Sequence, residues 1–361
     1  MAKRVLVALS GGVDSSVAAL LLKEQGFDVV GSHMKLWDYV DVGGDVHQDG
    51  RCCSLDAITD CRMVCDAIGA PFYVLNLSSQ FRERVINDFV SEYKAGRTPN
   101  PCVRCNADVR WEAFLQKAIE IGCDYIATGH YAFVERNENG RFHVRKGIDG
   151  TRDQSYVLWG LTQEALARTL MPLGGLLKPD VREIARRFGL RTAEKPESRE
   201  ICFVADNDYR RFLREWEAKE GRLPDSGDIV FDDGTVVGRH HGTAYFTIGQ
   251  RKGLGVSHPR PLYVQSIDAE RNRVVVGEYD SLLALEFSVR DVNWMAIEAP
   301  EEAFEADVKI RYLHTPSPAM VSELPGSTVR VKFSQEQRAI TPGQSAVFYR
   351  GDVVLGGGII A

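Results

Sequence analysis

Two adjacent glycines, set between one apolar run and another, constrain this chain more than any other feature. Ser10–Ser16 reads S-G-G-V-D-S-S, with the run Arg4–Leu9 before it and Val17–Leu22 after it. The first run predicts a buried parallel strand; the second, closed by Gly26, predicts a helix starting at Ser15 or Ser16. Gly11 and Gly12 open backbone angles closed to other residues, so successive N–H groups converge into an anion-binding nest. The positive end of the helix and the two serine hydroxyls add to it. The expected guest is a phosphate chain. A tight turn with serine caps is the simpler reading, and the strand before and helix after weigh against it.

The lysine of a Walker loop, G-x-x-x-x-G-K-[ST], is missing here. The stretch resembles instead the pyrophosphate loop, S-G-G-x-D-S, of ATP pyrophosphatases. Those enzymes split ATP between the α- and β-phosphates and place AMP on a substrate.

With 361 residues the chain has room for two or three domains. The start, Met1-Ala-Lys-Arg, passes straight into the first strand without a signal pattern, and no apolar run reaches membrane-spanning length. The expected location is the cytoplasm, with no membrane partner. Eight cysteines in that setting imply reduced thiols for catalysis or metal rather than a disulfide framework. A formal net charge of −6 argues against wholesale polyanion binding. Residues 234–267 nevertheless contain no Asp or Glu, while Arg239, Arg251, Lys252 and Arg260 stand there with His240, His241 and His258. The stretch reads as a phosphate-facing surface or as a solvated basic face.

Along the chain, strands are expected at Asp28–Met34, Pro71–Leu77 and Asp124–Thr128, and helices at Ser54–Ile68 and Ser79–Lys94. Gly96–Asn106 reads as a loop stiffened by two prolines, before a helix through Trp111, Phe114 and Ile119. Alternating strands and helices predict an α/β fold with a parallel sheet, whose ligands gather at the carboxyl ends of the strands. Ser10–Ser16, Met34, Gly129 and His130 fall at such ends. A hairpin is expected from Arg136 to Ile148 around Asn139-Gly140, followed by helices at Gln163–Leu170, Asp180–Phe188 and Tyr209–Glu220. After Gly221 short alternating stretches predict mainly β units, so the chain divides into 1–207, 208–278 and 279–361, the last a barrel.

Three cysteines stand apart. Cys102 and Cys105 form C-x-x-C in the proline-rich stretch, and Cys202 lies in Ser198-Arg-Glu-Ile-Cys-Phe203. Flanking Arg104 and Arg199 would favour thiolates, as a nucleophile requires. A metal half-site and plain buried thiols are the competing readings, and Cys123 and the histidines lack zinc spacing. Cys61 and Cys65, four apart on a helix, and Cys123 at a strand entry read as core. Cys52 and Cys53 stay undecided.

Beyond single motifs, the chain resembles the bacterial tRNA-specific 2-thiouridylases (tRNA-uridine 2-sulfurtransferases). The resemblance is carried by S-G-G-V-D-S-S at 10–16, T-P-N-P-C-V-R-C-N at 98–106 and A-T-G-H-Y-A at 127–132. It continues in R-D-Q-S-Y at 152–156, I-C-F at 201–203, F-T-I-G-Q-R-K-G-L-G at 246–255 and T-P-G-Q-S-A-V-F-Y at 341–349. It implies an adenine-nucleotide hydrolase-like catalytic domain, a small central tRNA-contacting domain and a C-terminal β-barrel. ATP is implied at Ala8, Leu9, Ser10, Gly11, Gly12, Val13, Asp14, Ser15, Met34 and Gly129. Cys105 is implied as nucleophile and Cys202 as persulfide carrier, the two joining in a disulfide during turnover. Contacts to the tRNA anticodon stem-loop are implied at Asn100, Pro101, Cys102, His130, Arg152, Asp153, Gln154, Arg311, Tyr312 and Gln344. The implied product is 2-thiouridine at position 34 of tRNAs for Lys, Glu and Gln, formed with ATP and Mg²⁺. Sulfur would come from a cysteine desulfurase or a sulfur-relay protein.

Cys102 stands where many members have Asp, Ser198-Arg199-Glu200 where many have Ser-Thr-Gly, and Arg152 where Lys is common. The first departure opens a second route, in which Cys102, Cys105 and Cys202 hold a [4Fe–4S] cluster with one iron open for sulfide. Two rivals remain. A pyrophosphate-loop ligase or amidotransferase acting on a small molecule has no need for Cys105 and Cys202, and a non-catalytic RNA-binding or sulfur-carrier protein has none for Ser10–Ser16.

Overall fold

The computed structural model describes residues 2–38, 42, 55–195, 201–204, 206–221 and 225–361. The first strands are β1 (Arg4–Leu9), β2 (Asp28–Lys35), β3 (Phe72–Asn76) and β4 (Tyr125–Ala127). The hairpin β5 (Ala132–Arg136) and β6 (Phe142–Lys146) follows, and then the two-residue β7 (Thr169–Leu170). A five-stranded sheet runs in the order β3-β2-β1-β4-β7, every pairing parallel. Val5, Leu6 and Val7 are completely buried, as a central strand covered on both faces requires. Because β1 lies between β2 and β4, the strand order reverses there, and the crevice at their carboxyl ends is where such sheets bind ligands.

The sequence reading needs four corrections. The helix after the loop is Val13–Glu24, starting two residues early, because Gly12 in extended conformation takes the cap position. The C-x-x-C stretch is not a loop. Pro101 has no N–H to lose in a first turn, so it opens a helix, Pro101–Arg104, that continues as a π-helix over Cys105–Ala113. The helix at Gln163 stops at Ala167, and Thr169–Leu170 pairs with β4 as an edge strand. The hairpin starts earlier than its Asn-Gly signal suggests, with Arg136 opposite Phe142. Helix Leu55–Ile68 is described from Leu55; the proposed cap Ser54, like Cys52, Cys53 and Ser198-Arg199-Glu200, lies outside the described residues.

The amphipathic helix Tyr209–Lys219 buries Phe212, Leu213 and Trp216. A four-stranded sheet follows in the order β10-β11-β8-β9, from β8 (Gly227–Val230), β9 (Val236–His240), β10 (Tyr263–Asp268) and β11 (Arg273–Gly277). The remaining strands are β12 (Leu283–Trp294), β13 (Phe304–Lys309), β14 (Ser317–Leu324), β15 (Thr328–Arg338), β16 (Ser345–Arg350) and β17 (Val353–Ile360). They run β12-β15-β14-β13-β16-β17 and close when β12 pairs with β17 as well as β15, through a register shift between Arg290 and Asn293. β6 then pairs with β17, so the early hairpin extends the barrel's sheet. Side chains seal this junction: Trp159 Nε1 donates to Ser345 Oγ at 3.0 Å, and Tyr156 Oη to the Ser345 carbonyl at 2.8 Å.

Candidate functional site

At the end of β1 the chain turns through Gly11 in the left-handed region, φ 72°. A Cβ there would also sit 2.7 Å from the Ala57 backbone, so glycine is required twice over. The serines hold the loop's shape: Ser15 Oγ accepts from the Ser10 N–H at 3.1 Å, and Ser16 Oγ donates to the Gly12 carbonyl at 2.9 Å. The Ser16 hydroxyl thus points inward, not into the nest. Gly129, just past β4, lies against this loop, and a Cβ on it would be 2.8 Å from Asp14 C and Ser15 N. Met34 is buried one residue before the end of β2.

Asp14 faces two partners that the sequence did not single out. Tyr131 Oη donates to Asp14 Oδ1 at 2.6 Å, and Lys178 Nζ reaches both carboxylate oxygens at 2.7 Å. Lys178 is 6% exposed and opens the helix Lys178–Arg187, its own N–H donating to Asp149 Oδ2 at 3.0 Å. Tyr131 follows the recognisable G-H pair directly, but nothing in linear spacing ties residue 178 to residue 14.

The C-x-x-C helix packs beside Gly129 through its neighbour His130, whose ring centroid lies 5.5 Å from that of Trp111. His130 Nδ1 and Thr128 Oγ1 are 2.8 Å apart. Burial, assisted by the Arg110 charge, lowers the His130 pKa to about 3, so the ring is neutral at working pH. Cys102 is reached by solvent yet walled by protein, and desolvation holds its thiol above the ordinary value while Arg110 opposes it. Arg110 lies about two turns beyond Cys102, a spacing that puts both on one helix face. Arg104 Nε pairs with Asp88 at 3.5 Å.

Cys105 is buried and Cys202 half-buried. Their segments meet on the same helical run, Ser78–Phe81, Arg82–Ile86 and Asn87–Lys94. Arg104 reaches Asp88 there, and Phe203 packs edge-on against Phe81 at 5.7 Å and Phe89 at 5.2 Å. Cys61, Cys65 and Cys123 are core residues, burial pushing Cys61 up to about 12 and Cys65 to about 11. Among the described residues no three His, Cys, Asp or Glu side chains come together as metal ligands. Of the three thiols named for a [4Fe–4S] route, Cys102 is exposed, Cys105 buried and Cys202 half-buried.

Family profiles match along the chain: one described as tRNA methyl transferase HUP domain at residues 3–206, a tRNA methyl transferase PRC-barrel domain at 218–278, and an aminomethyltransferase beta-barrel domain at 285–360. The chain is 54% identical over 359 residues to the tRNA-specific 2-thiouridylase MnmA of Geobacter metallireducens, covering 99% of this chain and 96% of that one. It is 51% identical to that of Geotalea uraniireducens, covering 99% and 95%, and 48% identical to MnmA 1 of Clostridium botulinum, covering 100% and 99%. The chain belongs to the tRNA-specific 2-thiouridylase family.

Residues that the family resemblance implied as tRNA contacts fall into two groups in this member. Arg311 and Tyr312 are exposed, Cys102 is open to solvent, and Asn100 and Arg152 are half-buried. By contrast Pro101, His130 and Asp153 are buried. Asp153 accepts from Ser155 N at 3.1 Å and Oγ at 2.9 Å, and Gln154 Oε1 accepts from the Tyr131 N–H at 3.0 Å. Two neighbours of Tyr312 went unnoticed in the sequence: Lys309, its Nζ 5.6 Å from the rings of both Tyr156 and Tyr312, and Leu313, 89% exposed. The acid-free stretch 234–267 is less basic in space than in sequence. Glu278 takes Arg260 at 2.9 Å, Asp228 stands 3.9 Å from Arg239, and His240 is buried, leaving Arg251 and Lys252 exposed.

Proposed function

We propose that this chain thiolates C2 of the wobble uridine of tRNA in an ATP-dependent reaction; its relatives are named tRNA-specific 2-thiouridylases. The observation that supports this best is the contiguity of two unlike sites. The glycine loop touches Gly129, His130 packs on the C-x-x-C helix, and the Cys105 and Cys202 segments share one further helix. A small-molecule ligase needs only the first site, and a binding protein needs neither.

A C2 carbonyl oxygen is a poor leaving group, so the oxygen first attacks the α-phosphate and pyrophosphate departs. Loop N–H groups and the start of helix Val13–Glu24 stabilise the charge that develops on it. A persulfide on Cys202 carries the sulfur. The Cys105 thiolate attacks the Cys202 Sγ, the Cys105–Cys202 disulfide forms, and hydrosulfide is released. Hydrosulfide adds at C2 and AMP leaves with the former carbonyl oxygen. An external dithiol then reduces the disulfide. Neutral His130 can serve this pocket as a hydrogen-bonding group but not as a cation. Unstacking the base costs a few kcal/mol or less in an anticodon loop.

Magnesium fits only as a companion of the nucleotide. The described residues offer no three-ligand group, so phosphates would hold the ion with Asp14 as the loop's carboxylate. The sulfur donor is a cysteine desulfurase or relay protein, and the tRNAs are those for Lys, Glu and Gln. No described helix is long and apolar enough to cross a membrane, and a tRNA substrate puts the protein in the cytoplasm. Mass spectrometry of nucleosides from tRNA incubated with ATP and a persulfide source tests the reading. Cys202→Ser and Cys105→Ser should each abolish 2-thiouridine while retaining tRNA binding, and wild-type turnover in Cys202→Ser overturns it.

A further inference from the structure

Releasing hydrosulfide leaves the chain oxidised, and the bond that holds the oxidation is hard to reach. Each cycle ends with a disulfide between Cys105, which is buried, and Cys202, which is half-buried. Reduction by exchange needs a thiolate to reach one of those two sulfurs, and access governs its rate. A reductant the size of a protein meets Cys105 behind other atoms of the chain.

A third thiol stands one helical turn from Cys105. Asn100 is extended, Pro101 opens the helix, and the Cys105 N–H donates to the Pro101 and Cys102 carbonyls, so both cysteines lie on helical backbone. Three residues along a helix separate two Cα atoms by about 5 Å, inside the span of about 4.4–6.8 Å that a disulfide bridges. The two residues between them are fixed, since Val103 is buried and Arg104 pairs with Asp88 at 3.5 Å. Cys102 is exposed where Cys105 is not. The pair thus has an outer sulfur that a partner can attack and an inner one that can leave. Desolvation also holds the Cys102 thiol above its ordinary value against Arg110. A thiolate that is poorly stabilised favours the disulfide over the reduced form, so exchange runs toward the bond that contains Cys102.

We propose that Cys102 is the resolving thiol of this chain, moving the disulfide of the spent enzyme from Cys105–Cys202 to Cys102–Cys105, where an external dithiol can reach it. This rests on the sulfur-transfer reading above and adds the step that resets it. The Cys102 thiolate attacks the Cys105 Sγ, the Cys102–Cys105 bond forms, and Cys202 leaves as a thiolate that takes up the proton Cys102 lost. A protein dithiol then attacks the exposed Cys102 Sγ and releases Cys105. Its second thiol closes the mixed disulfide, so the dithiol is oxidised and all three cysteines end reduced.

Anaerobic turnover of the full chain, with tryptic mapping of the quenched enzyme, tests this. Trypsin cuts after Arg104, so a Cys102–Cys105 bond appears as residues 98–104 linked to 105–110. Without reductant, wild type should carry mostly this bond after its first product, and Cys102→Ser should carry Cys105–Cys202 instead. With thioredoxin as the reductant, Cys102→Ser should stall after about one 2-thiouridine per enzyme, its later turnovers slowed about tenfold or more. Excess dithiothreitol, small enough to enter, should recover them. A wild-type enzyme that holds only Cys105–Cys202 overturns the proposal, as does undiminished multiple turnover in Cys102→Ser. Loss of the first product as well makes Cys102 a substrate contact and equally overturns it. Glutathione titration of Cys202→Ser examines the pair without thiolation: a Cys102–Cys105 disulfide should form, and its absence in fully oxidised buffer rules the bond out. Failure of the sulfur-transfer reading has its own signature, 2-thiouridine formed with no Cys105–Cys202 disulfide in Cys102→Ser.

Discussion

Gln344 Nε2 donates to the Thr98 carbonyl at 2.9 Å and reaches the Pro99 carbonyl at 3.3 Å, so the barrel grips the backbone that leads into the C-x-x-C helix. The grip is returned by the Thr98 N–H, which donates to the Pro342 carbonyl at 2.8 Å. Gln344→Leu removes the side-chain half of this clasp. Turnover should fall by about tenfold as Cys102 and Cys105 lose their placement, with the tRNA dissociation constant within about threefold of wild type. Filter binding beside single-turnover thiolation checks this; an affinity loss as large as the rate loss makes Gln344 an RNA contact instead.

Gly129 is bounded by backbone atoms, which cannot swing aside as a side chain can. Gly129→Ala should cost about 1–3 kcal/mol of stability and displace the glycine loop, raising the ATP dissociation constant by about tenfold. Gly150→Ala is the matched control, because a Cβ there meets nothing within 4 Å. Equal ATP affinity in the two variants counts against the close approach.

Acid should find His130. Its native pKa of about 3 lies below the 6.5 of the unfolded chain, so between those values the unfolded state binds a proton that the native state refuses. Stability from this residue is full above pH 6.5 and is lost as pH falls, by up to about 1.4 kcal/mol per pH unit. Urea titrations from pH 7 to pH 4 should show a shallower decline in His130→Gln than in wild type. Parallel declines refute the assignment.

Thiol labelling should separate the cysteines by position. At pH 8, Cys102 should react with iodoacetamide because solvent reaches it, though slowly for an open thiol because its pKa is raised. Cys61 and Cys65, buried and pushed to about 12 and 11, should stay unlabelled until denaturant is added. Peptide mass spectrometry over time reads both, and early labelling of Cys61 contradicts its burial.

Much of the nucleotide site was legible because its residues are neighbours in sequence. Ser10–Ser16 carries strand end, nest and helix start in one stretch, and Gly129-His130 marks the adjoining strand end. Prolines misled, because Pro101 has the same backbone angle in a loop as in a first helical turn, and only the packing of Val103 and Val109 decides between them. Lys178 and Arg110 were invisible for a different reason. Each acts through space on a partner that no local pattern predicts, and charged residues in amphipathic helices ordinarily face solvent. The acid-free stretch at 234–267 shows the converse: a gap in one segment is filled by Asp228 and Glu278 from its neighbours in the sheet.

The hairpin partnership of β6 with β17 also sets a timetable for the newborn chain. Arg145 leaves the ribosome about 200 residues before Val353, its opposite number, and at 5–20 residues per second the wait is about 10–40 s. Throughout that interval the β6 edge is an open seam, able to pair with a stray strand from another nascent copy. The eight residues of β17 therefore act as a zip that is drawn only once they emerge, and a chain lacking them leaves a catalytic half with its hem undone.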